Sequence, residues 1–161
     1  MLHWTAGDYL TTFSAYHFCL TGALAVRVHA THDLRANMRD LRRESSGDYA
    51  AHTAGRNSFS VGIAICAMRG ATPHDFADYP LTPDQVEALC LVAARIAAFY
   101  EIALDAIRTH AEAALDDGYF GAGDDEVRWD IARLEPRAAP LAPVEAAAVG
   151  ARLRERISAL C

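Results

Sequence analysis

At 161 residues, with 52% apolar and 22% charged side chains, the chain has the composition of one globular domain built on a single core. A net charge of −6 and a pI near 5.6 weigh against a nucleic-acid binder, because phosphate binding draws on surplus lysine and arginine. No run approaches the roughly 20 apolar residues that span a bilayer, and no signal-peptide pattern opens the chain, so a cytoplasmic location is expected.

In chain order, "LHWT" reads as a short strand. "AYHFCL" and "ALAVRVHA" read as a hairpin across a turn at Thr21-Gly22. Residues 31–57 are polar and predict a long surface excursion, with the basic run "RANMRDLRRE" at 35–44 as a solvated face. "FSVGIAICAM" is continuously apolar, which suits a central strand covered on both faces.

The loop "RGATPHDFADYP" leads into the clearest helix. Thr82 is its N-cap, Pro83 takes the first helical position and Gln85 completes a capping box. Val86, Leu89, Cys90, Ala93, Ile96, Ala97 and Tyr100 recur on one face. "DAIRTH" is a further strand candidate, followed by the Gly- and Asp-rich loop "LDDGYFGAGDDE". The expected architecture is α/β, a central mixed sheet flanked by helices over residues 1–135. A Pro- and Ala-rich linker at 136–143 and a terminal helix at 144–161 follow, the helix carrying Val149, Leu153, Ile157 and Leu160 along one stripe. Cys19, Cys66, Cys90 and Cys161 form no C-x-x-C pair and read as free thiols, the first three in the core.

Seven histidines are many for this length. A catalytic zinc takes three protein ligands from His, Cys, Asp and Glu and leaves a fourth position open. His3 and His110 each end a strand candidate, and Asp130 follows His110 after a loop that can fold it back. Residue type and position nominate these three without selecting them, since a lone histidine is more often a surface or hydrogen-bonded residue. His17 follows Tyr16 in a strand and should face the other way, in the core or behind a ligand. His29, His32 and His74 sit in polar surroundings and are expected in solvent. Glu112 is expected to share the side of His110 on an extended segment and to support it.

The ordered series "LHWTAG", "YHF", "HTAGRNSFSVGIAI", "LTPDQVEAL", "THAE" and "RWDIARL" resembles the zinc-dependent N-acetylmuramoyl-L-alanine amidases of the peptidoglycan-recognition-protein fold, in particular phage endolysins. The resemblance spans residues 2–134 and lies in the ordered set rather than in any one motif. It implies that zinc is held by His3, His110 and Asp130, and that Tyr16 points into the cleft and stabilises the reacting amide. Arg128 stands where many relatives have lysine; an arginine keeps the charge but gives up no proton near neutral pH, which implies an electrostatic role. His52 and Asn57 match a segment that lines the cleft and binds substrate. A glutamate that some relatives carry in the central strand is Ala64 here, which leaves the chemistry to the zinc, Tyr16 and Arg128. The first strand lacks residues that precede the histidine in relatives, which suggests a late start or a truncated chain.

The implied substrate is peptidoglycan or a muropeptide, cut at the amide between N-acetylmuramic acid and L-alanine by a monomer released from the host cytoplasm. Two other readings belong to the same resemblance: a cytoplasmic amidase that recycles muropeptides, and a peptidoglycan-binding module without catalysis.

Overall fold

The computed structural model describes residues 1–39, 48–120 and 129–161. Four short strands, β1 (Leu2–Trp4), β2 (Phe18–Thr21), β3 (Arg27–Ala30) and β4 (Ile63–Ile65), form one sheet in the order β1-β4-β2-β3. β4 runs parallel to both neighbours and β2 pairs antiparallel with β3, so the sheet is mixed, as its sequence implies. β4 is buried along its whole length, which explains its unbroken apolar character. Gly22 turns the chain between β2 and β3 at φ 87°, and a Cβ there would stand 2.6 Å from the Ala25 carbonyl oxygen.

Strand alternation divides the sheet into two chemically different faces. Leu2, Trp4, Leu20, Ile63 and Ile65 enter the core. There they meet Leu89, Cys90, Ala93 and Ala97 of α1 (Pro83–Tyr100) and Leu153 and Ile157 of α3 (Pro143–Ser158). His3, Ala64 and Cys19 stand in register across three adjacent strands and face the other way. The capping box of α1 closes in both directions, and the Gln85 amide also donates to the Cys66 carbonyl at 3.1 Å, joining the helix start to the end of β4.

Two expectations fail locally. "DAIRTH" is not a strand: Leu104–Ala106 form a 3-10 turn, and only Thr109 bridges to Leu2. His110 is the first residue of α2 (His110–Asp116), because Thr109 and Glu112 form a second capping box and turn the chain into a helix. The excursion at 31–57 is not all surface either. Asn37 is buried and both donates to and accepts from the backbone of Ala50, at 2.8 and 2.9 Å. Residues 40–44 of the basic run lie outside the described residues.

Arg133 and Arg154 are among the residues that tie the C-terminal segment to the rest. Arg133 is fully buried; it pairs with Glu145 of α3 at 2.6 Å and donates to the carbonyls of Pro73, Arg137, Ala139 and Pro140. Those bonds fix the segment 136–143 against the domain. Arg154 reaches Glu112 and the Ile107 carbonyl at 2.9 and 3.0 Å, so α3 braces the start of α2. The approach is close enough that a Cβ on Gly150 would lie 2.1 Å from the Glu112 carboxylate.

In an exposed helix interior, Gly→Ala stabilises by about 1 kcal/mol. Gly150→Ala should do the reverse and cost about 1–3 kcal/mol, because the methyl displaces a buried carboxylate engaged in a cap and an ion pair. Denaturant unfolding of the two proteins checks the sign.

Candidate metal centre

Three segments far apart in sequence bring one donor each to the cleft face. β1 offers His3 there because Leu2 and Trp4, on either side, are committed to the core. The Thr109 cap places His110 at the first position of α2. Asp130 follows Trp129, whose ring packs edge-on against Trp4 with centroids 4.5 Å apart. The Asp130 backbone carbonyl also accepts the Ala111 N–H, which fixes it against the first turn of α2.

Asp130 Oδ2 lies 3.0 Å from His3 Nδ1 and 3.5 Å from His110 Nδ1, and its Oδ1 accepts the Trp4 N–H at 2.7 Å. One donor atom from each of the three residues falls within 4.8 Å of the other two, and all three residues are buried. A tetrahedral zinc with bonds of 2.0–2.2 Å holds its ligand atoms about 3.3–3.6 Å apart. The two imidazole–carboxylate separations, 3.0 and 3.5 Å, lie near that spacing, and the third is within 4.8 Å, so the set can close on such an ion. Two imidazoles and a carboxylate are also a standard zinc donor set, and a buried carboxylate between imidazoles gains from a cation.

Burial lowers the pKa of His3 to about 4, against smaller upward contributions from the Asp130 carboxylate, so the ring stays neutral as ligation requires. Tyr16 lies beside His3 with ring centroids 5.1 Å apart and planes tilted by 47°, and donates its hydroxyl to the Trp4 carbonyl at 3.2 Å. Burial, aided by the charge of Asp130, raises its phenol pKa, so it remains a neutral donor near neutral pH. Ala64 is directly beside His3 in the register, and no carboxylate occupies that place. Arg128 lies outside the described residues.

His52 is buried, with Nδ1 at 3.1 Å from the Thr53 hydroxyl and Nε2 at 3.1 Å from the Ser60 hydroxyl. Burial holds its pKa far below the usual histidine range. Asn57 accepts the Thr53 N–H at 2.8 Å. Both therefore direct these groups into the protein. Thr53 and Ser60 sit in "HTAGRNSFS", where no periodicity marks either of them out as functional.

His17 is buried and accepts the Gly62 N–H at Nδ1, 3.1 Å away, while its Nε2 has no partner among the described residues. His32 is not in solvent as expected: its side chain is 8% exposed and bonds Asp48 at 2.7 Å and the Ser14 carbonyl at 2.5 Å. His29 and His74 are exposed. Glu112 does not support His110 on an extended segment, because it caps the helix and pairs with Arg154.

These burials make the metal-free protein acid-sensitive. Burial lowers the pKa of His3 and of His17 from the ordinary 6.5 to about 4, and that of His52 further still. Above pH 6.5 the rings are neutral folded and unfolded, and there is no penalty. Between pH 6.5 and 4 only the unfolded chain takes up these protons, so stability should fall by up to about 1.4 kcal/mol per pH unit for each histidine. For His3 and His17 the loss levels off below pH 4. Unfolding free energies of metal-free protein from pH 8 to 4 test this, and a flat profile contradicts it.

Among known families, the model for N-acetylmuramoyl-L-alanine amidase matches residues 1–125, a segment that holds His3 and His110 and stops five residues before Asp130. Searches of curated proteins and of solved structures return no match. With more than three-quarters of its length matched and its α/β sheet consistent with that family, this chain belongs to the N-acetylmuramoyl-L-alanine amidase family.

Proposed function

We propose that this protein is a zinc-dependent hydrolase that cleaves the amide between the lactyl group of N-acetylmuramic acid and L-alanine of the peptidoglycan stem. The observation that carries the reading is the buried convergence of His3, His110 and Asp130 in a chain of this family. When bound, zinc supplies Lewis acidity, bringing the pKa of water to roughly 7 and drawing electron density from the scissile carbonyl.

The chain's own groups supply the rest. Asp130 lies beside both His3 and His110, and it is itself held by the Trp4 N–H. Tyr16, neutral and beside His3, has a hydroxyl that can leave the Trp4 carbonyl for the substrate oxygen as negative charge develops there. Arg128, two residues before Asp130 in the chain, adds positive charge by the same reading. With Ala64 in the central strand no carboxylate base is available there, which favours a role in host-cell lysis over muropeptide recycling. An endolysin of this kind would act as a monomer and wait in the host cytoplasm until released to the wall.

Purified sacculi digested with zinc-loaded protein should yield stem peptides with a free L-alanine amino group and glycan strands stripped of peptide. Mass spectrometry of the products tests this, and new reducing sugar ends without free alanine would overturn the amidase reading. Tyr16→Phe should keep its zinc and lose about 100- to 1000-fold in turnover, the usual cost of removing one oxyanion donor. A wild-type rate with full zinc content would make Tyr16 a packing residue.

A further inference from the structure

The loop 52–60 contributes three polar side chains that the proposed chemistry leaves unused, and they connect end to end. His3 Nε2, the nitrogen turned away from Asp130, lies 3.3 Å from the Thr53 hydroxyl. Thr53 is 3.1 Å from His52 Nδ1, and His52 Nε2 is 3.1 Å from the Ser60 hydroxyl. Ser60 ends the series at the Arg56 and Asn57 carbonyls, 2.5 and 3.0 Å away.

The end of this chain sets its direction. Backbone carbonyls only accept, so Ser60 must donate to one of them and accept from His52 Nε2–H. A neutral His52 then has a bare Nδ1, which accepts the Thr53 O–H. The Thr53 oxygen, having given its proton to His52, accepts His3 Nε2–H. His3 is thereby left with the lone pair on Nδ1, 3.0 Å from Asp130 Oδ2, so these two atoms face each other as metal donors with no proton shared between them.

Two features hold the chain in place. Gly62 has no side chain because the His52 ring occupies that space: a Cβ would lie 2.6 Å from it. The Asn57 carboxamide grips the Thr53 backbone.

We propose that the loop 52–60 is a one-way hydrogen-bonded clamp that selects the Nδ1-ligating tautomer of His3, with Thr53 as the positioning residue in direct contact. His52, Asn57 and Ser60 act through Thr53, and on this reading His52 and Asn57 serve the ligand rather than the substrate. The proposal rests on the metal reading above, and its test separates the two.

Zinc binding by the wild-type chain, measured by competition with a chelating dye, tests the metal reading alone. Thr53→Val keeps the shape and removes the hydroxyl, and it should weaken zinc binding about 10- to 100-fold, the usual cost of losing such a supporting bond. Thr53→Ser restores the hydroxyl and should bind as the wild type does. Thermal unfolding of each metal-free variant identifies any loss due to misfolding. In the metal-free wild type, long-range nitrogen–proton NMR should show His52 protonated at Nε2 and not at Nδ1, a readout that stands whether or not zinc binds.

Four results overturn the clamp: unchanged affinity in a folded Thr53→Val, equal losses in the Val and Ser variants, an Nδ1–H tautomer for His52, or a raised KM with zinc affinity intact. The last would return the loop to substrate binding.

Discussion

The Asp130 carboxylate is the interaction on which the site depends. It is buried, and an ionised carboxylate without partners in such a place costs several kcal/mol. Three groups from two parts of the chain surround it: the Trp4 N–H, which donates to it, and the His3 ring from β1, and the His110 ring from the start of α2. Each partner reaches Asp130 only if its own element is correctly placed. The Trp4–Trp129 contact and the Ala111 N–H bond to the Asp130 carbonyl supply that placement from the packing side and the backbone side.

The rest of the fold is arranged to give this carboxylate a room. One face of the sheet is used for the core, so the opposite face is free to be polar. Small residues make the space. Ala64 sits between His3 and Cys19 in the register, and Gly62 yields its side-chain volume to His52. A larger residue at either position would push on a ring near the metal centre, which links two plain apolar positions of β4 and its approach to function.

The family match ends at residue 125, yet the fold does not end there. Asp130 comes after it, Arg133 buries a guanidinium among carbonyls and Glu145, and α3 packs on α1 and α2. Through Arg154 and Glu112, α3 reaches the cap that starts α2, and so the residue before His110. The C-terminal helix is thus mechanically continuous with one of the three metal-site residues.

What the sequence determined by itself was whatever depends on neighbours within about four residues. The capping box and apolar stripe of α1 are of this kind, and so is the alternation that sends His3 one way and Leu2 and Trp4 the other. The three donors were legible only because their motifs recur in order in a known family. "DAIRTH" shows the limit: a strand needs a partner, Leu2 accepts only a single bridge, and a cap hidden in "THAE" turns the chain into a helix. Arg133 reads as one more surface charge until Pro73, 60 residues earlier, is folded against it. The contact between Thr53 and His3 spans 50 residues and the one between Asp130 and His3 spans 127. No local pattern encodes such contacts, because their energy exists only once packing has removed water and set the distances; tertiary structure alone decided them.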